Sequence, residues 1–326
     1  MKFVISNVNK KVSFKKLSLF VYSIFLLDFL YIKEIPLINA ILTKGSYYKD
    51  LEHIPMIYPL VSSISVFLIV FYFYQYISFK NKRYLSNVFI LLVPIILNVG
   101  RGIVVMALIP CLLIYLSELD FKKSYKKIAK LFLILFSLSY LFGLLGDVRI
   151  SEKLKNKDKN NNDIILQAGE ATSEFRESIF PGEMFWVYLY ITSPISNFDN
   201  AVTYNKKIGL SSLNEFIVYN FLPQSLQKKF LGKFEKNTNY LVVDTFNVST
   251  MYLLPYFQFG WLGVFFFLII YFVIFFLCFH IVRRGNYKVV FLALFSNSFI
   301  IGWFSNALVL DVIFIPILIC VILSFK

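Results

Sequence analysis

Four stretches of this chain carry almost no charge over lengths close to those that cross a lipid bilayer: Val61 to Phe79, Leu131 to Gly146, Val264 to Val282 and Val309 to Phe325. The hydrocarbon core takes about 20 apolar residues of helix, and a helix is the simplest segment that satisfies its own backbone there. Hydrophobic residues make up 58% of the 326-residue chain, against about 45–50% in soluble domains, and the excess has no place in water. The expected fold is all-α: a polytopic transmembrane helical bundle of about eight spans. They fall near 17–33, 57–79, 84–99, 102–118, 131–146, 261–282, 288–304 and 307–325.

The formal charge of +14 would suit a nucleic-acid binder, but the basic residues form no single face with interleaved stacking aromatics. They lie between the apolar runs, at Lys2 to Lys16, Lys80 to Arg83, Lys122 to Lys130 and Arg283 to Lys288, with only Glu118 and Asp120 among them in the inside segments. Retention of Lys and Arg in short cytoplasmic loops explains that placement. It puts both termini in the cytoplasm, in a multi-pass protein of the cytoplasmic membrane, and predicts no nucleic-acid partner. The first run follows a Lys-rich start but has no small-residue cleavage site, so it is expected to be an uncleaved helix.

Three regions follow: an N-terminal transmembrane bundle over 1–146, a long extracytoplasmic segment over 147–260, and C-terminal transmembrane helices over 261–326. The middle region holds the polar residues that chemistry in water needs. It opens with a Lys/Asn/Asp-rich run, Ser151 to Asp163, that cannot bury a core. It also contains two apolar pieces, Phe180 to Phe198 and Val242 to Gly263. These are expected to be re-entrant or interfacial, or else to pair as two further spans, giving ten.

Candidate chemistry gathers on the extracytoplasmic side. Asp28 and Asp311 are carboxylates in otherwise apolar runs, either functional or paired with a neighbouring helix. Arg101 sits in the tight turn from Asn98 to Gly102, Arg149 at the end of the fifth span beside Asp147, and Arg176 in the long segment. Arginine's fixed fork of donors matches phosphate and stays charged. Together these residues would seat a lipid diphosphate; singly, each marks an interface or pairs with a carboxylate.

A second cluster runs from Asn237 through Asp244, Asn247 and Ser249 to Tyr256 and Gln258. Small polar and aromatic side chains suit sugars, and the same composition suits a helix start. Asp244 would be a general base or an N-cap. The two histidines, His53 and His280, have no Ser, Cys or metal-ligand partner in sequence, and the cysteines at 111, 278 and 320 lie in apolar runs. Neither a zinc site nor a Ser-His-Asp hydrolase is expected. No phosphate-binding or dinucleotide loop is present, so an activated donor would arrive already lipid-linked.

The order of these features resembles the Wzy-type O-antigen or oligosaccharide repeat unit polymerase family. The resemblance rests on Ile35-Pro36-Leu37 after the span with Asp28, the turn Asn98 to Gly102, and Gly146-Asp147-Val148-Arg149. It continues through Tyr190-Ile191-Thr192-Ser193-Pro194 with Asn197 to Thr245 through Gly263. The chain has fewer N-terminal spans than is usual in that family, carries Gln258 where an Asp or another polar residue often sits, and lacks evident paired Arg-containing repeats. The resemblance implies an inverting, metal-independent and cofactor-free glycosyl transfer between undecaprenyl-diphosphate-linked glycans, in O-antigen, capsule or exopolysaccharide synthesis. Within it, Arg101, Arg149 and Arg176 would bind diphosphate, Asp244 or Asp147 would take the proton, and Tyr190, Asn197, Asn247 and Tyr256 would line the glycan path. A chain-length regulator and a flippase are the implied protein partners. The alternatives are a flippase or other transporter of lipid-linked oligosaccharide, and an O-antigen ligase, which is expected to use a histidine that the long segment lacks.

Overall fold

The computed structural model describes residues 14–42, 53–119, 124–130, 133, 136–137, 140, 165–167, 169–204, 212–230, 240–242 and 248–325. All regular structure among them is helical. The helices are α1 (Lys15–Ile32), α2 (Pro36–Leu42), α3 (Ile57–Phe79), α4 (Lys82–Leu97), α5 (Arg101–Ser117), α6 (Ser173–Arg176) and α7 (Met184–Thr203). They continue as α8 (Leu213–Phe221), α9 (Gln224–Phe230), α10 (Leu253–Val282), α11 (Lys288–Ile301) and α12 (Asp311–Ser324), the last preceded by a 3-10 turn at Ala307–Val309.

The expected span at 57–79 coincides with α3, and those near 17–33, 84–99, 102–118, 288–304 and 307–325 correspond to α1, α4, α5, α11 and α12. The expected span at 131–146 falls mostly outside the described residues. Among the described residues two helices, α3 with 23 residues and α10 with 30, are long and apolar enough to cross a membrane. At 1.5 Å per residue, the 14-residue α11 and α12 reach only about 21 Å of the roughly 30 Å hydrocarbon core. Polar turns at Asn98–Gly100 and Gly302–Asn306 set the end of α4, the start of α5, the end of α11 and the start of α12, where hydropathy alone places the boundaries differently.

Helix α3 is the hub, packed against α1, α4, α5 and α12. Its most apolar stretch is 67% buried, and the small residues Ser62, Ser63 and Ser65 are wholly buried, allowing close helix approach. Ser63 and Ser65 donate their hydroxyls back to the carbonyls of Pro59 (2.6 Å) and Val61 (2.8 Å), so neither group is stranded. Helix α10 has the opposite character. Its most apolar stretch is only 22% buried, and Trp261, Leu262, Phe265, Phe266, Phe276 and Leu277 all face outward.

Two prolines inside helices explain two inter-helix bonds. Proline has no N–H, so it frees the carbonyl four residues earlier. Pro94 frees Ile90 O, which accepts from the Tyr22 hydroxyl of α1. Pro110 frees Met106 O, which accepts from Asn297 Nδ2 of α11 at 3.1 Å. The donor end of a fully buried asparagine is thereby accounted for, while its Oδ1 has no partner among the described residues. Asn297→Leu is expected to lower stability by about 1–3 kcal/mol by stranding that carbonyl, and Pro110→Ala in the same chain is expected to restore most of the loss. Thermal unfolding in detergent of the two single variants and the double variant checks this; strictly additive effects would sink it.

The bundle has two chemically distinct ends. Gly285 lies against Ser324, which groups the α10–α11 turn with the end of α12, and there Lys80, Lys82, Arg83, Arg283, Arg284 and Lys288 collect. The Asn297–Met106 bond puts the start of α5 with the end of α11 at the opposite end, where Asn98 to Arg101, Gly302 to Asp311, and the start of α10 lie.

Helices α7 to α9 cover that opposite end. Trp303 Nε1 donates to Ile191 O (2.8 Å), and Met251 N–H donates to Gly302 O (2.8 Å). Helix α8 begins with a capping box. Glu215 N–H donates to Ser212 Oγ (3.1 Å), and Ser212 N–H donates to the Glu215 carboxylate (3.2 Å), as the spacing S-L-N-E provides.

Candidate functional site

Three features at the end opposite the basic one combine burial, unmet polarity and unusual backbone. The first begins with Asp28, three turns into α1 and 1% exposed. A lone carboxylate there would be costly, and two donors meet it. His53 Nδ1–H donates to Oδ2 at 2.8 Å, and Ile54 N–H donates to Oδ1 at 3.0 Å. The imidazole also stacks on Tyr58, with ring centroids 3.9 Å apart and planes at 11°. Carboxylate and ring together fix the orientation of His53, which remains 23% exposed in its side chain. An imidazole held by a carboxylate at Nδ1 presents Nε2 as a proton acceptor. Sequence inspection left His53 without a partner. The signal that would have found it is Asp28 itself, since a carboxylate in an apolar run demands a nearby donor.

The second feature is the turn from α4 to α5. Gly100 N–H donates to Ile95 O (3.0 Å) and Val99 N–H to Ile96 O (2.9 Å), the paired bonds that close a helix through one left-handed residue. That residue is Val99, at φ 54°, where a β-branched side chain is strained. Asn98, 7% exposed, has no partner for either end of its amide among the described residues. Helix α5 then starts directly, with Arg101 as its first residue, Gly100 at the cap position and no side chain capping its N–H groups. A methyl added at Gly102 would meet nothing within 4 Å, so this helix start is open beside that residue.

The third feature is a break in α10. Gly260 has φ 62° and ψ −147°, a conformation closed to other residues, and Phe259 before it is also non-helical. Gly263 lets the chain fold tightly, because a Cβ there would lie 2.2 Å from Pro255 O. Just before the break, Gln258 Oε1 accepts from Asn220 Nδ2 (2.7 Å), and Asn306 Nδ2 donates to Asn220 O (2.8 Å). Among the described residues, the Oδ1 atoms of Asn220 and Asn306 and the Thr250 hydroxyl are buried and have no hydrogen-bond partner. Nearby, Asp311 opens α12, where a carboxylate favours the helix dipole, and it accepts from Ser225 Oγ–H at 2.7 Å.

The other sequence candidates disperse. Asn197 is 1% exposed. Its Nδ2 donates to Val248 O (2.7 Å) and its Oδ1 accepts from Val242 N–H (2.9 Å), so it pins the following segment to α7. Asn200 repeats the pattern on Tyr240 O (2.9 Å). Tyr256 is buried, edge-on to Phe198 and Trp261. Tyr190 packs beside Trp186. Arg176 ends α6 and its Nε donates to Ala171 O (3.1 Å) on an exposed surface. Asp147, Arg149, Asp244 and Asn247 lie outside the described residues, as does the side chain of Arg101. Asn98 and Asn220 were missed in sequence because an asparagine in a turn or an apolar helix announces nothing until its hydrogen bonds are counted. No protein-family model, curated protein or solved structure matches this chain.

Proposed function

We propose that the chain is a multi-pass protein of the bacterial cytoplasmic membrane that polymerises oligosaccharide repeat units carried on undecaprenyl diphosphate, with both termini cytoplasmic and about eight spans. The observation that carries this reading is the start of α5: a helix N-terminus led by Arg101 with no side-chain cap, beside a buried Asn98 amide, neither having a partner among the described residues. Helix starts attract phosphate through free N–H groups and the helix dipole. The outward apolar face of α10 supports a lipid surrounding. The gathering of Lys and Arg at the far end supports an extracytoplasmic site.

The chemistry is an inverting displacement. A hydroxyl of the incoming repeat unit attacks the anomeric carbon of the growing chain, the bond from that carbon to the diphosphate oxygen breaks, and the diphosphate leaves with the electron pair. Arg101 and the α5 N–H groups stabilise the charge that builds on the leaving group, help worth a few kcal/mol at sites of this type. The attacking hydroxyl gives up its proton to His53 Nε2, while Asp28 keeps the Nδ1 proton in place and balances the imidazolium that forms. Asp244 and Asp147 are the sequence candidates for the same proton.

In a strain lacking the gene, surface polysaccharide is expected to stop at a single repeat unit. An intact copy restores the ladder on a gel and an Arg101→Ala copy does not. Polymer of normal length that stays lipid-linked or on the wrong face would instead favour transport, which the Gly260 break and its unpartnered amides would serve.

A further inference from the structure

Away from the three features above, a cleft of about 290 Å³ opens between the loop at Gly169 to Thr172 and the aromatic side of α7. We infer that this cleft is a pyranose-binding subsite, with Tyr188 and Phe185 as its wall and Glu170 at its rim. The inference rests on the polymerase reading for which glycan would occupy it, but not for binding itself.

The wall is built first. Phe185 and Tyr188 are stacked at 5.5 Å with planes at 20°, and Phe175 leans on Phe185 at 4.8 Å. Phe185 is buried, but Tyr188 leaves 55% of its surface open, so an aromatic face is uncovered where the cleft lies. The C–H face of a sugar ring suits such a surface, and its hydroxyls then point toward the rim. The volume is near the lower end of small-ligand pockets, enough for about one or two sugar rings.

The rim is the unusual part. Ala171 N–H donates to Leu166 O (2.7 Å) and Glu170 N–H donates to Gln167 O (3.1 Å), closing a short helical piece through a left-handed residue. Glycine is the usual choice at that position, and here it is Glu170, at φ 52°. The glycine comes one residue earlier. A side chain at Gly169 would force its neighbours to shift, because a Cβ would lie 2.7 Å from side-chain atoms of both Phe185 and Leu189. The loop is therefore pressed against the aromatic wall, and a strained backbone delivers a carboxylate to its edge. Strain of this kind persists where a side chain is needed.

Glu170 is a hydrogen-bond acceptor suited to sugar hydroxyls. The neighbouring Glu174 carboxyl is held below its usual range by its own backbone N–H and the Thr172 hydroxyl, and Arg176 Nε donates to Ala171 O of the same loop, so charges of both signs flank the rim.

The test uses the full chain in lipid nanodiscs and a panel of methyl glycosides of glucose, galactose, N-acetylglucosamine and mannose, read by saturation-transfer NMR. At least one is expected to show saturation of its ring C–H protons. Binding should weaken by roughly tenfold in Tyr188→Ala and in Glu170→Gly, the loss of a hydrogen bond to a charged group, while Tyr125→Ala binds as the unaltered chain does. Glu170→Gly carries the discrimination: relief of the left-handed strain should raise its thermal midpoint even as binding falls, so a loss of binding there is no consequence of unfolding. Absence of saturation with every glycoside, or saturation that survives both cleft variants, overturns the inference. A gene-dependent ladder without cleft binding leaves the polymerase reading standing; cleft binding with an intact ladder in the deletion strain does the reverse.

Discussion

Gly263→Ala is expected to be among the most destabilising single-methyl changes in this chain. The added Cβ would sit 2.2 Å from the Pro255 carbonyl oxygen and 3.0 Å from the Phe259 Cβ, and a backbone atom cannot turn aside as a flexible side chain can. The first helical segment of α10, up to Gln258, would have to pull away, carrying the Gln258–Asn220 bond with it. Gly260→Ala acts differently, by forcing a side chain into a conformation reserved for glycine, at a cost of about 1–3 kcal/mol. Gly102→Ala supplies the contrast: it meets open space within a helix, and a glycine-to-alanine change there should stabilise by roughly 0.5–1 kcal/mol. Thermal unfolding in one detergent should rank the three as Gly263→Ala lowest, Gly260→Ala next and Gly102→Ala at or above the unaltered chain. Equal midpoints for all three would mean that α10 runs unbroken.

The second large effect concerns turnover. Under the proposed polymerase reading, Asp28→Asn is expected to reduce polymer formation by roughly 10²- to 10⁴-fold, the range over which oriented acid–base groups act. An asparagine keeps the shape and still accepts from Ile54 N–H, but it neither charge-balances an imidazolium nor enforces the Nδ1–H tautomer. The same replacement also disturbs a buried pair, so stability alone cannot decide the matter. Chemical rescue separates the two roles: in His53→Gly the space beside Tyr58 is vacated, and added imidazole should recover part of the polymer ladder in a membrane preparation supplied with lipid-linked repeat units. Full turnover by Asp28→Asn, or a His53→Gly variant that stays active without imidazole, would reduce the pair to a structural clamp between α1 and the start of α3.

Much of the bundle was legible because its signal is local. The run at 57–79 is α3 to the residue. The capping box at Ser212 and Glu215 and the glycines of Phe259-Gly260-Trp261-Leu262-Gly263 are patterns within one or two turns. Hydropathy overextended the two spans expected at 288–304 and 307–325, between which a polar turn and a 3-10 segment occupy 302–310, because apolar content alone does not register where backbone bonds stop. The two apolar pieces of the middle region resolve unequally. Phe180 to Phe198 enters the 20-residue α7, and Val242 to Gly263 ends in the broken start of α10.

Composition and charge pattern by themselves pointed to a helical chain of apolar runs with basic residues between them, since each follows from neighbours along the sequence; among the described residues all regular structure is helical, and two helices are long and apolar enough to cross a membrane. Tertiary structure alone decided who partners whom. Asp28 meets His53 across 25 residues, Asn220 meets Gln258 across 38, and Asn297 reaches the carbonyl freed by Pro110 across 191. A buried polar group takes whichever donor or acceptor packing brings near. That choice is set by how whole helices pack, and no periodicity within either partner's own segment encodes it.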